Sequence, residues 1–350
     1  MAEQVVDGWI ARKIGLPAGV PLSRPALEAW QARKLREVVA YVAARSAFHR
    51  RRLAGFDIEA EIRSVADVAK LPFTTPEDLT AHGAAMACLS ASRISRVVTL
   101  PTTGTTGDPK RVYFTEADQE LMTDYIHHGL QVMVRPGDVF LILFPCERPG
   151  SVGDLVRRGI ERIGARGVPV GPIPLDGSRD AEVLDVMRRE GVSTGVATAA
   201  TAARLARKSA ALVPGAGEGV RANMRTILLS AQYAPDEDVR AIESHWDCLA
   251  YEHYGMTEMG LGGAMACRER VGYHPREADI LFEVIDPATG EVLPDGESGE
   301  IVFTTLTREA MPFVRYRTGD RSRWLPGGCP CGSVLKRLGK VGDRVGHKAY

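Results

Sequence analysis

Apolar positions recur along this chain with two periods, and the change from one to the other marks its elements. Over residues 25–55, Leu27, Trp30, Leu35, Val38, Val39 and Val42 fall near the 3.6-residue period with Arg and Lys between them. That spacing predicts a long amphipathic helix whose basic face is solvated. Residues 66–81 read as a helix, a proline break and a second helix capped at Thr75 or Pro76. Residues 96–101 predict a strand entering a loop of Gly and Thr. Short apolar runs then alternate with helical patterns. Strands are expected at 138–145, 168–174, 192–198, 224–231 and 248–254, and helices at 154–165, 180–191, from 199, and at 236–246. Strands separated by helices predict parallel sheet built from βαβ units. After residue 278 the texture changes: 279–286, 300–306 and 313–320 look like antiparallel strands between Gly/Pro turns.

Composition narrows the picture. A chain of 350 residues has room for two or three domains at ~150 residues each and buries a core without disulfides. The pattern divides it into an α/β core over 1–275, a β-rich subdomain over 276–338, and a final stretch over 339–350. Lys and Arg number 44, as do Asp and Glu, so no net field draws the chain to nucleic acid or an anionic membrane. Glu3 and Asp7 stand where a secretory signal would be basic. No apolar run reaches the ~18 residues of a membrane span. A cytoplasmic protein without nucleic-acid or membrane partners is expected, and its 6 cysteines are expected as reduced thiols or metal ligands.

Two places carry chemistry. After the strand at 96–101 comes Thr102-Thr103-Gly104-Thr105-Thr106-Gly107-Asp108-Pro109-Lys110. Glycines let backbone bend around an anion so that its N–H groups face the charge, threonines add donors, and Lys110 adds a cation. It is not a Walker A loop, because Pro109 precedes the lysine and Arg111 follows it. The second place is the thiol turn Cys329-Pro330-Cys331-Gly332, with Cys267 and His274 upstream. Three thiolates and an imidazole suit a closed tetrahedral structural Zn²⁺ site. His253 is a weaker candidate ligand.

The Gly/Thr loop resembles the phosphate-binding signature of the adenylate-forming superfamily. Further motifs agree in order: Tyr254-Gly255-Met256-Thr257-Glu258, then residues 300–306, then Arg315-Tyr316-Arg317-Thr318-Gly319-Asp320. The last two are similar to the phenylacetate–CoA ligase branch in particular. Ser230-Ala231-Gln232-Tyr233 sits where that branch has its adenine-contacting segment. The resemblance covers roughly residues 30 to 345. It implies the large N-terminal α/β domain of adenylate-forming enzymes, with parallel βαβ sheets and a distorted antiparallel β region.

It also implies a reaction: a small carboxylic acid, ATP and CoA give acyl-CoA, AMP and pyrophosphate. Thr102, Thr103, Gly104, Thr105, Thr106, Gly107 and Lys110 would hold the β- and γ-phosphates. Thr257 would bond the α-phosphate, and Glu258 would hold Mg²⁺. Asp320 would accept the ribose hydroxyls, with Lys340 near them. Tyr254, Gly255, Ala231 and Gln232 would line adenine. The branch carries cysteines at places comparable to the proposed zinc ligands. Alternatives are transfer to a carrier-protein thiol or an amine, and a nucleotide-binding protein impaired in catalysis. A homodimer is left open as a further partner.

The sequence departs from the branch in three ways. Gln232 replaces a Glu. Glu147 and Arg148 fall where the branch has an apolar, aryl-acid-shaping stretch, so an acid other than phenylacetate is expected. The sequence stops at Tyr350, just after Gly339-Lys340-Val341-Gly342-Asp343-Arg344 takes the place of the family's hinge. The expectation is therefore that the C-terminal lid domain is absent.

Overall fold

Ser46 divides the helix expected over 25–55 into two. In the computed structural model, which describes residues 5–100, 109–211, 221 and 223–342, α1 (Val5–Lys13) is followed by α2 (Arg24–Arg45) and α3 (Ala47–Arg52). Ser46 is extended at φ −94° and ψ 123°. Its N–H closes α2 onto Val42 O, and its hydroxyl oxygen accepts from His49 N–H to cap α3. A serine that bonds the nearby backbone in this way competes with helix continuation.

Next come α4 (Ile58–Glu61), a 3₁₀ turn over Val65–Lys70 and α5 (Pro76–Met86). The capping box of α5 pairs Thr75 with Asp78, as the cap residues predict. β1 (Arg96–Leu100) and β2 (Lys110–Phe114) form an antiparallel pair, and α6 spans Glu116–Leu130.

Strands and helices then alternate as expected: β3 (Val139–Ile142), α7 (Val152–Glu161), β4 (Arg166–Pro169), α8 (Asp180–Glu190), β5 (Thr194–Ala197), α9 (Ala199–Ala211), β6 (Thr226–Leu229), α10 (Asp236–Trp246) and β7 (Leu249–Tyr254). Two short strands follow, β8 (Ala264–Ala266) and β9 (Tyr273–Pro275). The antiparallel trio β10 (Ile280–Ile285), β11 (Gly299–Thr305) and β12 (Tyr316–Ser322) ends the series.

Contacts divide the chain into two units. One joins residues up to Leu121 with Met256–Gly263 and everything from His274. The other comprises Met122–Gly255 and Ala264–Tyr273.

In the first unit, Leu35, Val38, Val39 and Val42 of α2 share one core with Leu281, Leu306 and Val314. The grouping differs from a division at 275 and 338, because local periodicity carries no signal of packing between α2 and the late β region.

In the second unit six strands run in the order β4-β3-β5-β6-β7-β8. The first five are parallel and β8 is antiparallel to β7. Ala199, Ala202, Ala203 and Ala206 of α9 are buried with Ile242 and Trp246 of α10 over one side of this sheet. Every residue of β5 and β6 is buried, so neither strand alternates between core and solvent.

β4 is displaced from the 168–174 expected. Pro169 gives no ladder N–H, and Gly171 turns into the left-handed region at φ 79°. After β3, residue 153 has to be glycine: a Cβ there would lie 2.3 Å from Cys146 Sγ and 2.7 Å from Pro145 O, so α7 packs directly on the loop that follows β3. No helix among the described residues is long and apolar enough to cross a membrane.

Candidate active site

In the second unit, β6 and β7 are parallel neighbours with Leu229 opposite Glu252. The residues beyond these partners therefore emerge side by side at the C-terminal edge of the sheet, where α/β sheets take their ligands. Ser230 Oγ lies 2.9 Å from His253 Nδ1. Ala231 is left-handed at φ 69°, a conformation that costs a residue with a Cβ about 1 kcal/mol or more. Gln232 after it is exposed, while Tyr254 at the end of β7 is buried. Ala231, Gln232, Tyr254 and Gly255 are thus delivered by the ends of two adjacent strands.

In the first unit, Lys110 opens β2, half-buried and paired with Leu100 at the end of β1. Thr102, Thr103, Gly104, Thr105, Thr106 and Gly107 lie outside the described residues.

Thr257 and Glu258 sit in a 3₁₀ turn over Thr257–Met259. Glu258 is buried, and its Oε1 accepts the Tyr316 hydroxyl at 3.2 Å. Its backbone carbonyl accepts Arg308 Nη1–H at 2.6 Å. Arg308 also donates to Tyr113 O at 2.9 Å, and its guanidinium lies 4.3 Å from the Phe114 ring centroid. Burial pushes the Arg308 guanidinium down to about 10, so it stays a cation at neutral pH. The Tyr316 ring packs on Phe313 and Phe303 at 4.9 and 5.4 Å, which fixes the hydroxyl that meets Glu258.

Asp320 lies four positions along the same strand, within a bulge. Glu300 faces Arg321 while Val302 faces Arg317, so three residues of β12 oppose Ile301 alone. Thr318 Oγ1 donates to Ile301 O at 2.7 Å. Gly319 takes φ 75° and donates its N–H to Glu300 Oε1 at 3.0 Å. The segment carrying Lys340 runs beside β12, held by Gly339 N–H to Arg323 O at 2.8 Å and Gly342 N–H to Arg321 O at 2.9 Å. One strand therefore relates three of the expected residues: Glu258 through Tyr316, Asp320 through the bulge, and Lys340 through its neighbour segment.

The thiol turn also belongs to the first unit. His274, Cys329 and Cys331 are buried, and their ligand atoms lie within 4.8 Å of one another. His274 Nδ1 faces Lys336 O at 3.1 Å, and its Nε2 faces Cys331 Sγ at 3.4 Å. A carbonyl on Nδ1 holds the proton there and leaves the Nε2 lone pair for a ligand, the second-shell pattern of zinc histidines. Burial lowers the His274 pKa and favours the neutral imidazole that a metal needs. Cys267 is buried in the second unit, directly after β8. Cys88 and Cys248 differ in kind: burial pushes both thiols up to about 12, so they stay protonated core residues.

Sequence reasoning missed Tyr316, Arg308 and the Ser230–His253 pair. Tyr316 stands inside a quoted motif, but between Arg315 and Arg317 nothing in the sequence gives its hydroxyl a partner. Arg308 carries no spacing signal.

Comparison with known proteins agrees with this geometry. Residues 22–307 match the family described as AMP-binding enzyme. The chain is 31% identical over 334 residues to phenylacetate–coenzyme A ligase of Thermus thermophilus, covering 93% of this chain and 72% of that protein. It is 31% identical over 292 residues to the enzyme of the same name from Pseudomonas putida, covering 81% of this chain but 62% of that one. Its fold matches 2-hydroxyisobutyryl-CoA ligase, in complex with 2-HIB-AMP and CoA, at a TM-score of 0.81 and 23% identity over 93% of this chain and 69% of the other. Taken with the order of the motifs and the antiparallel β region that carries two of them, these matches mean that the chain belongs to the AMP-binding, adenylate-forming enzymes, in their phenylacetate–coenzyme A ligase branch.

Proposed function

We propose that this chain ligates a small carboxylic acid to coenzyme A with ATP, through an acyl adenylate. The observation that carries the reading is the setting of Glu258, a buried carboxylate with one oxygen held by Tyr316, in the same β12 frame as Asp320. In the first half-reaction a carboxylate oxygen of the acid bonds to the α-phosphorus of ATP, and the bond to pyrophosphate breaks. In the second, the CoA sulfur bonds to the acyl carbon, the thiol proton leaves and AMP departs. The obstacle in the first step is charge, because an anion approaches a polyanion. Preorganised donors and cations remove much of that cost.

Thr102–Gly107 and Lys110 take the β- and γ-phosphates in this reading. Thr257 takes the α-phosphate, and Asp320 takes the ribose hydroxyls with Lys340 beside them. Ala231, Gln232, Tyr254 and Gly255 enclose the base. Glu258 offers the hard oxygen that Mg²⁺ prefers. When bound there, the ion supplies screening of phosphate charge. The names of the curated relatives support CoA rather than a carrier-protein thiol or an amine as acceptor.

Exchange of labelled pyrophosphate into ATP, run across a panel of acids, tests the adenylation step. Exchange that depends on one acid is expected, with CoA then yielding a thioester and AMP. No exchange with any acid in the panel would refute the reading. Phenylacetate belongs in the panel, though Glu147 and Arg148 in the loop after β3 favour a more polar acid.

His274, Cys329 and Cys331, with Cys267 seven residues before His274 in the chain, are read as a structural Cys₃His zinc site. Protein purified without added metal should contain one equivalent of zinc. Cys329→Ser should lower zinc content and Tm together. A zinc-free protein whose Tm does not respond to added zinc contradicts the site.

A further inference from the structure

Two carboxylates grip the residues after the thiol turn, and no step of the ligase reaction uses either. Asp7, in the first turn of α1, accepts the Ser333 hydroxyl at 2.5 Å and Val334 N–H at 3.1 Å. Glu277, three residues beyond His274, accepts Lys336 N–H at 2.7 Å. The Lys336 carbonyl is the group that faces His274 Nδ1. The segment from Cys331 to Lys336 is therefore pinned on one side by α1 and on the other by the strand that brings in the histidine.

Helix α1 has 9 residues, too few to be stable alone in water. It depends on what it touches. Trp9, Ile10 and Ala11 are buried, and at its far end Lys13 Nζ pairs with Asp279 Oδ2 at 2.7 Å. At its near end, the Asp7 bonds to Ser333 and Val334 tie it to the thiol turn.

We propose that Asp7 positions the backbone behind the ligand Cys331, so that metal occupancy and docking of α1 form one coupled equilibrium. The proposal rests on the zinc reading above. Losing a group that bonds a ligand directly typically weakens metal binding ~10–100-fold, and Asp7, which acts through the backbone next to Cys331, should sit at or below the low end of that range. Linkage makes the effect reciprocal: a metal that binds best with α1 docked holds α1 in place by the same factor. Asp7 is a positioning residue in this scheme. It orders the backbone immediately after Cys331 and touches no ligand atom of the metal.

The test uses the whole 350-residue chain, loaded with zinc. Competition with a chromophoric chelator should show Asp7→Ala holding zinc about tenfold more weakly, with Asp7→Asn between it and the parent. Hydrogen exchange over residues 5–13 should be slow with zinc and fast after chelation. In Asp7→Ala it should be fast in both states. Cobalt substituted into the variant should keep its thiolate charge-transfer bands, which shows an intact inner ligand set held less tightly. Should Asp7→Ala fail to fold, Ser333→Ala keeps the Val334 bond to Asp7, removes the shorter bond together with the one Ser333 Oγ accepts from Leu335 N–H at 3.1 Å, and should weaken zinc about twofold or more. Zinc held equally tightly by parent and variants, or α1 protection indifferent to chelation, overturns the coupling and leaves the zinc reading standing. A parent chain that binds neither zinc nor cobalt overturns both.

Discussion

Replacing Glu258 with Gln should lower the rate of acid-dependent pyrophosphate exchange by ~10²–10³, the usual effect of removing one preorganised charge from a site where phosphate charge develops. The fold should hardly notice. Gln has the same size and can still accept the Tyr316 hydroxyl that Glu258 Oε1 takes at 3.2 Å. The backbone carbonyl that anchors Arg308 is untouched. Tm should therefore stay within a few degrees of the parent while exchange nearly disappears. Tyr316→Phe separates charge from aim. It keeps the carboxylate and the ring packing on Phe303 and Phe313 but removes the donor, and should slow exchange about tenfold, near the low end for a hydrogen bond to a charged group. Higher Mg²⁺ should recover much of the Tyr316→Phe loss and little of the Glu258→Gln loss. If Glu258→Gln lost thermal stability in proportion to activity, the glutamate would be part of the scaffold instead.

What could be read from the sequence, and what could not, follows from the range of each interaction. Helix α10 falls on residues 236–246 as expected, because every signal for it is local. Pro235 precedes it, three acidic residues fill its first turn, and Asp247 leaves in the left-handed region. The site motifs were legible for the same reason, since each is a few consecutive residues with a fixed chemistry. The break at Ser46 was missed because its hydroxyl also donates to Ala85 O, a partner that periodicity cannot reveal. Tyr316 was missed as a site residue because its ring belongs among apolar side chains. Only the fold brings its hydroxyl to a glutamate 58 residues earlier. Asp320 was expected from its motif, yet the bulge that holds it depends on Glu300 in another strand.

Glu283→Ala should destabilise the first unit by ~3–5 kcal/mol, the cost of leaving a buried charge without its partner. Arg315 and Glu283 are 3% and 5% exposed. The guanidinium meets the carboxylate at 2.8 and 3.1 Å, donates to Ala69 O at 2.8 Å and Leu71 O at 3.0 Å, and lies 3.9 Å from the Phe73 ring centroid. Burial pushes the Glu283 carboxyl up, and the hydrogen bond and charge of Arg315 do not fully oppose it. Desolvation thus outweighs pairing, as expected for two ions taken out of water. Two results follow that a simple stabilising salt bridge would not give. The single variant should be severely affected, with Tm lower by roughly 6–20 °C at 2–4 °C per kcal/mol for a body of this size. The double variant Glu283→Leu with Arg315→Met should recover most of that loss, because no charge is left stranded and the volume stays filled. Chemical denaturation of the parent, Glu283→Leu, Arg315→Met and the double variant measures the coupling directly. A double variant no more stable than the worse of the two singles would mean that the stranded charge is not the source of the loss, contrary to the order of desolvation and pairing argued from its burial.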